Sequence, residues 1–332
     1  MTQTPLAASV VVPSRGGVRR LPILLGALHR QDRDDFEVVL VLDGDIDRSR
    51  QAAERFSASF GDRLRIVEFP ENRGRVAALN AGFEEAQGHV LIRCDDDFEP
   101  SPGYVDAHVT AHAQPTAVGV VGLPHNRFAD TPYARAYGRA RDGQFREEAY
   151  GRPETDHWRY WAGNCSLTRT TYQRVGPYDP DYRAYGWEDV DYGYRLHALG
   201  IPVRLVREAE TVHHAAAVTT HHAAAVTTAL RMTRAFHAGA ARRLFDAKHP
   251  EAAHGPAADG RAAASDSASL WSRLVAAEAN LLTAASVERV GAAIDRALPF
   301  LPHYVAEKLV ASGVEAASLA GQRTDGQLER TF

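Results

Sequence analysis

Three consecutive carboxylates, Asp95, Asp96 and Asp97, follow a short apolar run and are the residues of this chain best suited to chemistry. Residues 90–92 predict a buried strand of a parallel sheet, because the run is rich in β-formers and lacks polar alternation. Adjacent anions at the end of such a strand repel one another and need a counter-charge. A divalent cation is the usual one, since Mg²⁺ and Mn²⁺ prefer carboxylate oxygens. The alternative is a solvated acidic turn.

The strands predicted before this one also end in polar residues. Residues 7–13, 36–42 and 64–69 predict three strands, and segments with apolar residues at helical spacing separate them. This alternation predicts an α/β fold with a mostly parallel central sheet and flanking helices. Ligands of such sheets bind outside the carboxyl ends of the strands, where Asp43, Arg73 and the acidic run all fall.

The middle of the chain is less regular. Residues 103–114 predict a helix and residues 117–121 a strand. Over residues 125–154 the pattern dissolves into Arg, Tyr, Gly and acidic residues, which predicts a long, partly mobile segment near the substrate. A second acidic pair, Glu188 and Asp189, then stands in the first turn of a predicted helix.

A short tandem repeat follows the last predicted strand. Residues 202–206 predict this strand, which leads to His213 and His214. The eight residues 213–220 recur unchanged at 221–228, which is too short a unit for a solenoid. We interpret the repeat as a local duplication in a tolerant loop; a metal-binding histidine tract is the weaker alternative.

The remainder of the chain predicts helices around a linker. Residues 229–245 predict a basic helix, and residues 247–268, rich in Ala, Gly, Asp and Ser, predict a linker. Residues 269–332 predict a C-terminal helical region. Homodimerisation, docking at a membrane surface and acceptor binding all stay open as its role.

Composition narrows the class of protein. The 332 residues are 45% hydrophobic and 24% charged, which is ordinary for a soluble globular protein. A net charge of -4 argues against a nucleic-acid partner. Cys94 and Cys165 lie in apolar contexts, so we expect no disulfide framework and a cytoplasmic location. No signal peptide or membrane span is predicted, which leaves peripheral contact with the inner face of the membrane open.

Five segments in order along the chain carry a resemblance to a known family. They are residues 10–15 (VVVPSR), 42–45 (LDGD), 71–74 (ENRG) with 79–82 (LNAG), 95–97 (DDD) and 187–189 (WED). Their order and spacing resemble family 2 glycosyltransferases with the GT-A fold, and residues 186–191 are similar to the acceptor motif of galactosyltransferase-like members. The resemblance implies a catalytic domain over residues 1–246, with a donor half at about 1–123 and an acceptor half at about 124–246.

The resemblance implies a donor site. Asp95 and Asp97 resemble the DxD motif, whose last carboxylate binds the metal while the first faces the ribose. Asp43 would hydrogen-bond the base, unless it is a simple turn aspartate. Arg73 or Arg75 would contact the diphosphate or the base, unless it is a solvated loop arginine. The donor-binding set is Pro13, Arg15, Asp43, Arg73, Asn80, Asp95 and Asp96.

The implied metal is Mn²⁺ or Mg²⁺, held by Asp97 and by His213 or His214. Imidazole suits Mn²⁺ as well as softer ions. The repeat makes the choice of histidine ambiguous. We expect the first copy to bind, because it directly follows a predicted strand, and we expect His221 and His222 to lie in a loop.

Asp189 is the general base that the resemblance implies for an inverting transfer. That reaction needs one carboxylate within hydrogen-bond reach of the acceptor hydroxyl, on the face opposite the leaving group. Glu188 would orient the acceptor, and repulsion between the two carboxylates would raise one pKa toward a useful value. The alternative is that both acids merely complement the helix dipole.

Aromatic residues and one asparagine complete the predicted acceptor site. Asn164 lies in a small-residue strand that precedes the acceptor motif, and it is predicted to bind the acceptor together with Trp161 and Trp187. Trp158, Trp161, Trp187 and Tyr185 would offer an aromatic platform to a sugar ring. Core packing is the competing interpretation of these rings.

The sequence therefore predicts a metal-dependent inverting glycosyltransferase that moves a sugar from a nucleotide-sugar to a hydroxyl of a glycan, lipid-linked or small-molecule acceptor. UDP is the favoured nucleotide, with GDP and dTDP open. A sugar-phosphate nucleotidyltransferase is disfavoured, because no Gly-rich basic loop follows the first strand. A binding module that has lost catalysis is disfavoured by the intact carboxylates, and a dinucleotide dehydrogenase by the absence of G-x-G-x-x-G.

Overall fold

A seven-stranded sheet forms the centre of the protein within the residues that the computed structural model describes, which are 5–183, 186–214, 226–253 and 269–324. From edge to edge its strands are β3 (Leu64–Phe69), β2 (Phe36–Asp43), β1 (Ala8–Ser14), β4 (Val90–Cys94), β8 (Asn164–Thr168), β6 (Gly119–Val121) and β9 (Val203–Leu205). The strands β1 to β4 are mutually parallel, whereas β8 runs antiparallel to both its neighbours. The predicted mostly parallel α/β fold is confirmed.

A second, three-stranded sheet lies beside the end of β4. In it β10 (Thr211–His214) runs antiparallel to β5 (Phe98–Pro100) and parallel to β7 (Pro124–Arg127). His213 stands opposite Phe98 in this ladder. The small sheet therefore brings the histidines of the first repeat copy next to the acidic run, although more than 100 residues separate them along the chain.

Helices pack on the central sheet or, in the C-terminal part of the described chain, on one another. They are α1 (Leu21–His29), α2 (Ser49–Glu54), α3 (Ser57–Phe60), α4 (Arg75–Glu85), α5 (Tyr104–Ala111), α6 (Arg139–Gly151), α7 (Arg169–Val175), α8 (Glu188–Ala198), α9 (Thr228–Lys248), α10 (Pro250–Ala253), α11 (Leu270–Ala279), α12 (Val287–Ala297) and α13 (His303–Arg323). Spacing-based predictions for α1 and α4 are confirmed: the predicted apolar faces of both helices are buried against the sheet. Between β2 and β3 the chain forms two short helices, α2 and α3, and not a single one.

Residues 125–154 contain regular elements that the dissolved sequence pattern did not predict, while the mobility of this segment and its nearness to the substrate stay predictions. Strand β7, a π-helical turn at Ala134–Gly138 and helix α6 occupy most of it. Of the residues in α6 only Ala149 is buried, so the helix has no apolar stripe that sequence periodicity could reveal. Polar contacts hold it instead: Arg146 donates to both carboxylate oxygens of Glu210 at 3.1 and 3.0 Å.

The C-terminal helices pack on α9. Met232 and Phe236 of α9 share an apolar cluster with residues of α11, α12 and α13. The helices α9 and α13 approach closely at glycines: a Cβ on Gly321 would lie 1.9 Å from the carbonyl oxygen of Phe236. Within the described residues, no helix combines the length and the hydropathy that crossing a membrane requires. Residues 254–268 of the predicted linker lie outside the described residues, and the domain division stays a prediction.

Candidate active site

The three acids after β4 each have a different cationic or imidazole partner. Asp95 accepts from Nε and Nη2 of Arg93 at 2.8 and 3.2 Å. Asp96 accepts from Nε and Nη2 of Arg20 at 2.9 and 2.8 Å. Asp97 lies 2.9 Å from Nε2 of His213. The repulsion expected among adjacent anions is thus relieved by three separate elements of the fold.

Asp96 is a structural acid. Its side chain and that of Arg20 are only 4% and 5% exposed, and Ser14 donates a further hydrogen bond to it. Charge-assisted, bidentate pairs of this kind are among the strongest polar contacts in proteins. Asp96 does line the cleft at the sheet edge, as predicted for a donor-binding residue. Its carboxylate oxygens, however, serve to tie the start of α1 to the end of β4.

Asp97 and His213 fit a divalent metal as two neighbouring ligands. Two adjacent ligands of an octahedral ion, each about 2.1 Å from it, are about 3 Å apart, close to the 2.9 Å between Asp97 Oδ2 and His213 Nε2. Nδ1 of His213 lies 2.5 Å from Oδ1 of Asn126, which orients the ring in the way metal-binding histidines are oriented. His214 instead pairs with Glu99 at 2.6 Å. No cluster of three or more Cys, His, Asp or Glu side chains suited to a metal occurs in the described part of the chain. His221 and His222 lie outside it.

Asp43 closes the turn that starts α4. Its carboxylate accepts from the backbone N–H groups of Arg73 and Gly74 at 2.6 and 2.9 Å. This is the turn aspartate that the sequence left open as an alternative. Asp43 nevertheless lines the cleft, and Nη1 of Arg15 donates to its carbonyl oxygen at 3.0 Å. The lining residues of the cleft are Pro13, Ser14, Arg15, Asp43, Arg75, Ala78, Asp95 and Asp96.

Two residues of the predicted donor set lie away from this cleft lining. Arg73 is exposed and its guanidinium sits 4.6 Å from the centroid of the Phe69 ring. Asn80 donates to the carbonyl oxygen of Tyr178 and accepts from its N–H, both at 2.8 Å. Asn80 therefore fastens α4 to the loop before α8, and its amide is occupied by this contact.

The first turn of α8 carries the second acidic pair. Oδ1 of Asp189 accepts from Nη1 of Arg93, the same guanidinium that binds Asp95. Oε1 of Glu188 accepts from Nη1 of Arg75 at 3.1 Å. Within the described residues, Oε2 of Glu188 is buried without a hydrogen-bond partner. Glu188 thus contacts Arg75, which lines the cleft, and Asp189 shares Arg93 with Asp95, which also lines it.

Burial raises the pKa of Asp189 to about 7. Arg93 and Arg75 oppose this rise, while the neighbouring Glu188 adds to it. The direction agrees with the prediction made for a general base, but the main cause is desolvation, with carboxylate repulsion a smaller contribution. A carboxyl with a pKa near neutrality is suited to proton transfer at neutral pH.

The structure places the other predicted acceptor residues in the core. Asn164 donates to the carbonyl oxygens of Gly122 and Ala209, and its Oδ1 accepts from the hydroxyl of Tyr104 at 2.9 Å. Trp161 is 1% exposed and donates to the hydroxyl of Tyr178. Both side chains are satisfied inside the protein, so Asn164 and Trp161 present no surface to a ligand.

Trp158 is buried as well, and its ring packs edge-on against Tyr194. Trp187 is half-buried, packs on Phe245 and has a positive φ of 72°. Tyr185 lies outside the described residues. Of the predicted platform, Trp187 alone among the described rings keeps part of its surface accessible, while Trp158 and Trp161 follow the core-packing alternative.

The sequence analysis did not single out Arg93, Arg20 or Asp191. Arg93 is 0% exposed in the middle of an apolar strand, and an arginine in such a strand is the signal that could have marked it. Asp191, 1% exposed, accepts from Arg195 and lies 2.7 Å from Nε2 of His249. Asp191 thereby fixes α8 to the end of α9.

The architecture is a GT-A fold, as its likeness to two solved glycosyltransferases shows. A mannosyltransferase from Pyrobaculum calidifontis, solved in complex with GDP-Man and Mn²⁺, superposes with a TM-score of 0.59 at 22% identity, covering 95% of this chain and 87% of its own. GalNAc-T7, solved with UDP, GalNAc and Mn²⁺, gives 0.52 at 16% identity over 75% of this chain and 51% of its own.

The chain belongs to glycosyl transferase family 2, whose model matches residues 9–175. A model described as the N-terminal domain of galactosyltransferase matches residues 145–222, which confirms the second resemblance. Validoxylamine A glucosyltransferase of Streptomyces hygroscopicus subsp. jinggangensis is 33% identical over 230 residues, 60% of this chain and 54% of that protein. The human dolichyl-phosphate beta-glucosyltransferase is 32% identical over 98 residues, 27% of this chain and 30% of its own. The chain spans about half the length of the first of these relatives.

Proposed function

We propose that this protein transfers a sugar from a nucleoside-diphosphate sugar to an acceptor hydroxyl, with inversion and with the help of a divalent metal. One observation carries the proposal. Arg93 contacts both Asp95, on the predicted donor side, and Asp189, the predicted base. A donor bound at the edge of the sheet and a hydroxyl beside α8 would therefore meet at the same point.

The donor side supplies charge for a diphosphate. Arg15 and Arg75 line the cleft, and cationic side chains there favour phosphate oxygens. Asp97 and His213 would hold Mn²⁺ or Mg²⁺, which when bound stabilises the negative charge that develops on the departing nucleoside diphosphate. Asp95 faces the donor side of the cleft and is 23% exposed.

The acceptor side supplies the base. Asp189 is 18% exposed, and its pKa of about 7 leaves a substantial deprotonated fraction at neutral pH. Deprotonated Asp189 would remove the proton of the acceptor hydroxyl as that oxygen attacks the sugar carbon. Glu188, fixed by Arg75, would accept a hydrogen bond from the acceptor through its second oxygen.

The relatives suggest which substrates to test first. Two of them are named as glucosyltransferases, one with validoxylamine A and one with dolichyl phosphate as the named acceptor. We therefore propose UDP-glucose as the first donor and a small polyol or a lipid phosphate as the first acceptors, with GDP-sugars next. The buried free thiols Cys94 and Cys165 support a reducing, cytoplasmic setting.

Thermal unfolding with UDP, GDP and dTDP, each with and without Mn²⁺, tests the donor half of the proposal. A ligand at a hundred times its dissociation constant stabilises by about 2.7 kcal/mol, which raises Tm by a few degrees. We expect one nucleotide to raise Tm only when Mn²⁺ is present, and Asp97→Asn to abolish that rise. Glu99→Gln is the matched control, because Glu99 pairs with His214 and should keep the response. A Tm that no nucleotide changes would contradict the proposal.

A further inference from the structure

Arg93 is a cation in the centre of the main sheet. Its strand neighbours in the ladder are Val11 on β1 and Cys165 on β8, and both belong to the apolar cluster on the α8 side of the sheet. Its side chain is 0% exposed. Burying a guanidinium among apolar neighbours is costly unless its N–H groups are paired. The partners of Arg93 therefore decide whether this strand can form.

Those partners lie on two different elements, the end of β4 and the start of α8. Nε and Nη2 of Arg93 form a fork on Asp95, two residues along the same strand end, while Nη1 points to Asp189 on α8. The planar guanidinium fixes the directions of all three donors at once. Asp95 and Asp189 are thereby held by one rigid group.

We propose that Arg93 is a positioning residue that couples the two halves of the active site, fixing Asp189 relative to Asp95 and setting the pH at which Asp189 accepts the acceptor proton. This inference rests on the proposed transfer reaction. Arg93 itself touches neither substrate. It acts through the carboxylate that it orients.

The effect of Arg93 on the proton affinity of Asp189 depends on all the charged and titratable groups that face Asp189. These groups are Arg93, Arg75, Asp95, Glu188, Tyr178 and Cys165. Burial raises the pKa of Asp189, and Arg93 is the strongest influence lowering it. Removing the positive charge of Arg93 would raise this pKa further, because an adjacent cation favours the ionised carboxylate. The active, deprotonated form would then appear only at higher pH.

The pH dependence of kcat/KM for sugar transfer tests the proposal. At low pH kcat/KM should rise as Asp189 loses its proton, and this part of the profile is its acidic limb. In Arg93→Met we expect the acidic limb to move to higher pH by about one unit or more. In Arg93→Lys we expect the limb to stay near that of the wild type while kcat falls about tenfold, because an ammonium keeps the charge but loses the fork. An unmoved limb in Arg93→Met, or wild-type kcat in Arg93→Lys, would overturn it.

Arg195→Lys is the matched control. Arg195 pairs with Asp191 on the same helix as Asp189, and this pair does not include the proposed base. We expect this variant to lose stability without a change in the acidic limb. A movement of the limb equal to that of Arg93→Met would show a general effect of loosening α8 and would overturn the proposal.

A carboxyl titration separates this inference from the proposed function. The ¹³C resonance of the Asp189 carboxyl, assigned by its loss in Asp189→Asn, reports the pKa without any turnover. We expect a higher pKa in Arg93→Met, or, if that variant does not fold, a changed chemical shift in Arg93→Lys. An unchanged signal would overturn the role of Arg93. Absence of transfer by the wild type would instead contradict the proposed function.

Discussion

The two acidic segments of the cleft are built in different ways. The acids after β4 are positioned by their own strand, and Asp95 finds its arginine only two residues away. The acids that start α8 depend on distant residues: Asp189 binds an arginine 96 positions earlier and Glu188 one 113 positions earlier. Local sequence therefore specifies the partner of Asp95, whereas Asp96, Asp97 and both acids of α8 find their partners only in the folded chain.

Under the proposed function, the first acidic segment serves binding and the second serves proton transfer. Each strand-end acid has its own partner, Arg93, Arg20 or His213, which suits a fixed site for a metal and a diphosphate. At the start of α8 the effect of burial on Asp189 outweighs that of the neighbouring arginines, and the pKa of Asp189 rises to about 7 as a result. Environment thus assigns different tasks to chemically identical side chains.

The largest expected effect distinguishes the two segments by function. Asp97→Ala and Asp189→Ala should each lower kcat for sugar transfer by about a thousandfold, because one removes the proposed metal ligand and the other the proposed base. Only Asp97→Ala should also weaken Mn²⁺-dependent nucleotide binding. Transfer kinetics and calorimetric titration of the nucleotide check both parts.

Full transfer activity in Asp189→Ala would remove the base assignment. Equal loss of nucleotide affinity in both variants would show that the two acidic segments do not have separate roles in nucleotide binding and proton transfer. Glu99→Gln serves as the control for altering a carboxylate near the acidic run.

A second prediction concerns the structural acid of the run. Arg20→Met should lower the free energy of unfolding by about 3 to 5 kcal/mol, because it leaves Asp96 buried without its charged partner. Denaturant unfolding at pH 7 measures the change. Arg50→Met, which breaks solvent-accessible pairs with Glu54 and Glu68, should cost less than about 1 kcal/mol and is the control. Equal costs in the two variants would contradict a buried structural pair.

At Asp189, the proposed base, we expect a smaller effect on the free energy of unfolding, and this effect depends on pH. Between about pH 4 and pH 7 folded Asp189 keeps a proton that the unfolded chain releases, so its contribution to stability falls as pH rises through this window. Asp189→Asn, which resembles the protonated form, should therefore raise the free energy of unfolding at pH 8 by about 2 to 4 kcal/mol. The gain should shrink toward pH 4.

Denaturant unfolding at several pH values checks this sign. A lower free energy of unfolding for Asp189→Asn than for the wild type at pH 8 would mean that ion pairing with Arg93 outweighs the burial of the carboxylate. That outcome would place the folded-state pKa below its ordinary value and would count against the proton-transfer role.

Periodicity predicted the first half of the fold well. Strand β3 was expected over residues 64–69 and begins and ends there, and α1 buries its predicted leucines. These elements have continuous apolar runs or a clear helical stripe, so local sequence is sufficient. Helix α6 has neither a continuous apolar run nor a helical stripe. Charged contacts such as that of Arg146 with Glu210 hold it in place, so periodicity could not predict it.

The site was predicted by residue type but only partly by role. His213 or His214 was predicted beside Asp97 from its position after a strand, and the structure brings His213 to 2.9 Å from Asp97 while His214 pairs with Glu99. Asn164 and Trp161 were predicted to bind the acceptor, yet the polar groups of both side chains form hydrogen bonds inside the protein. A motif records which residues occur, whereas the direction of each side chain depends on contacts between segments far apart in sequence.

The pH dependence of kcat/KM in the wild-type protein, with Mn²⁺ and a donor shown to bind, tests the central claim most directly. If Asp189 is the base, the rate should rise about tenfold per pH unit at low pH and level off above about pH 7. A rate that stays constant from about pH 5 to pH 9, under conditions where the protein remains folded, would contradict the assignment of Asp189 as the proton acceptor.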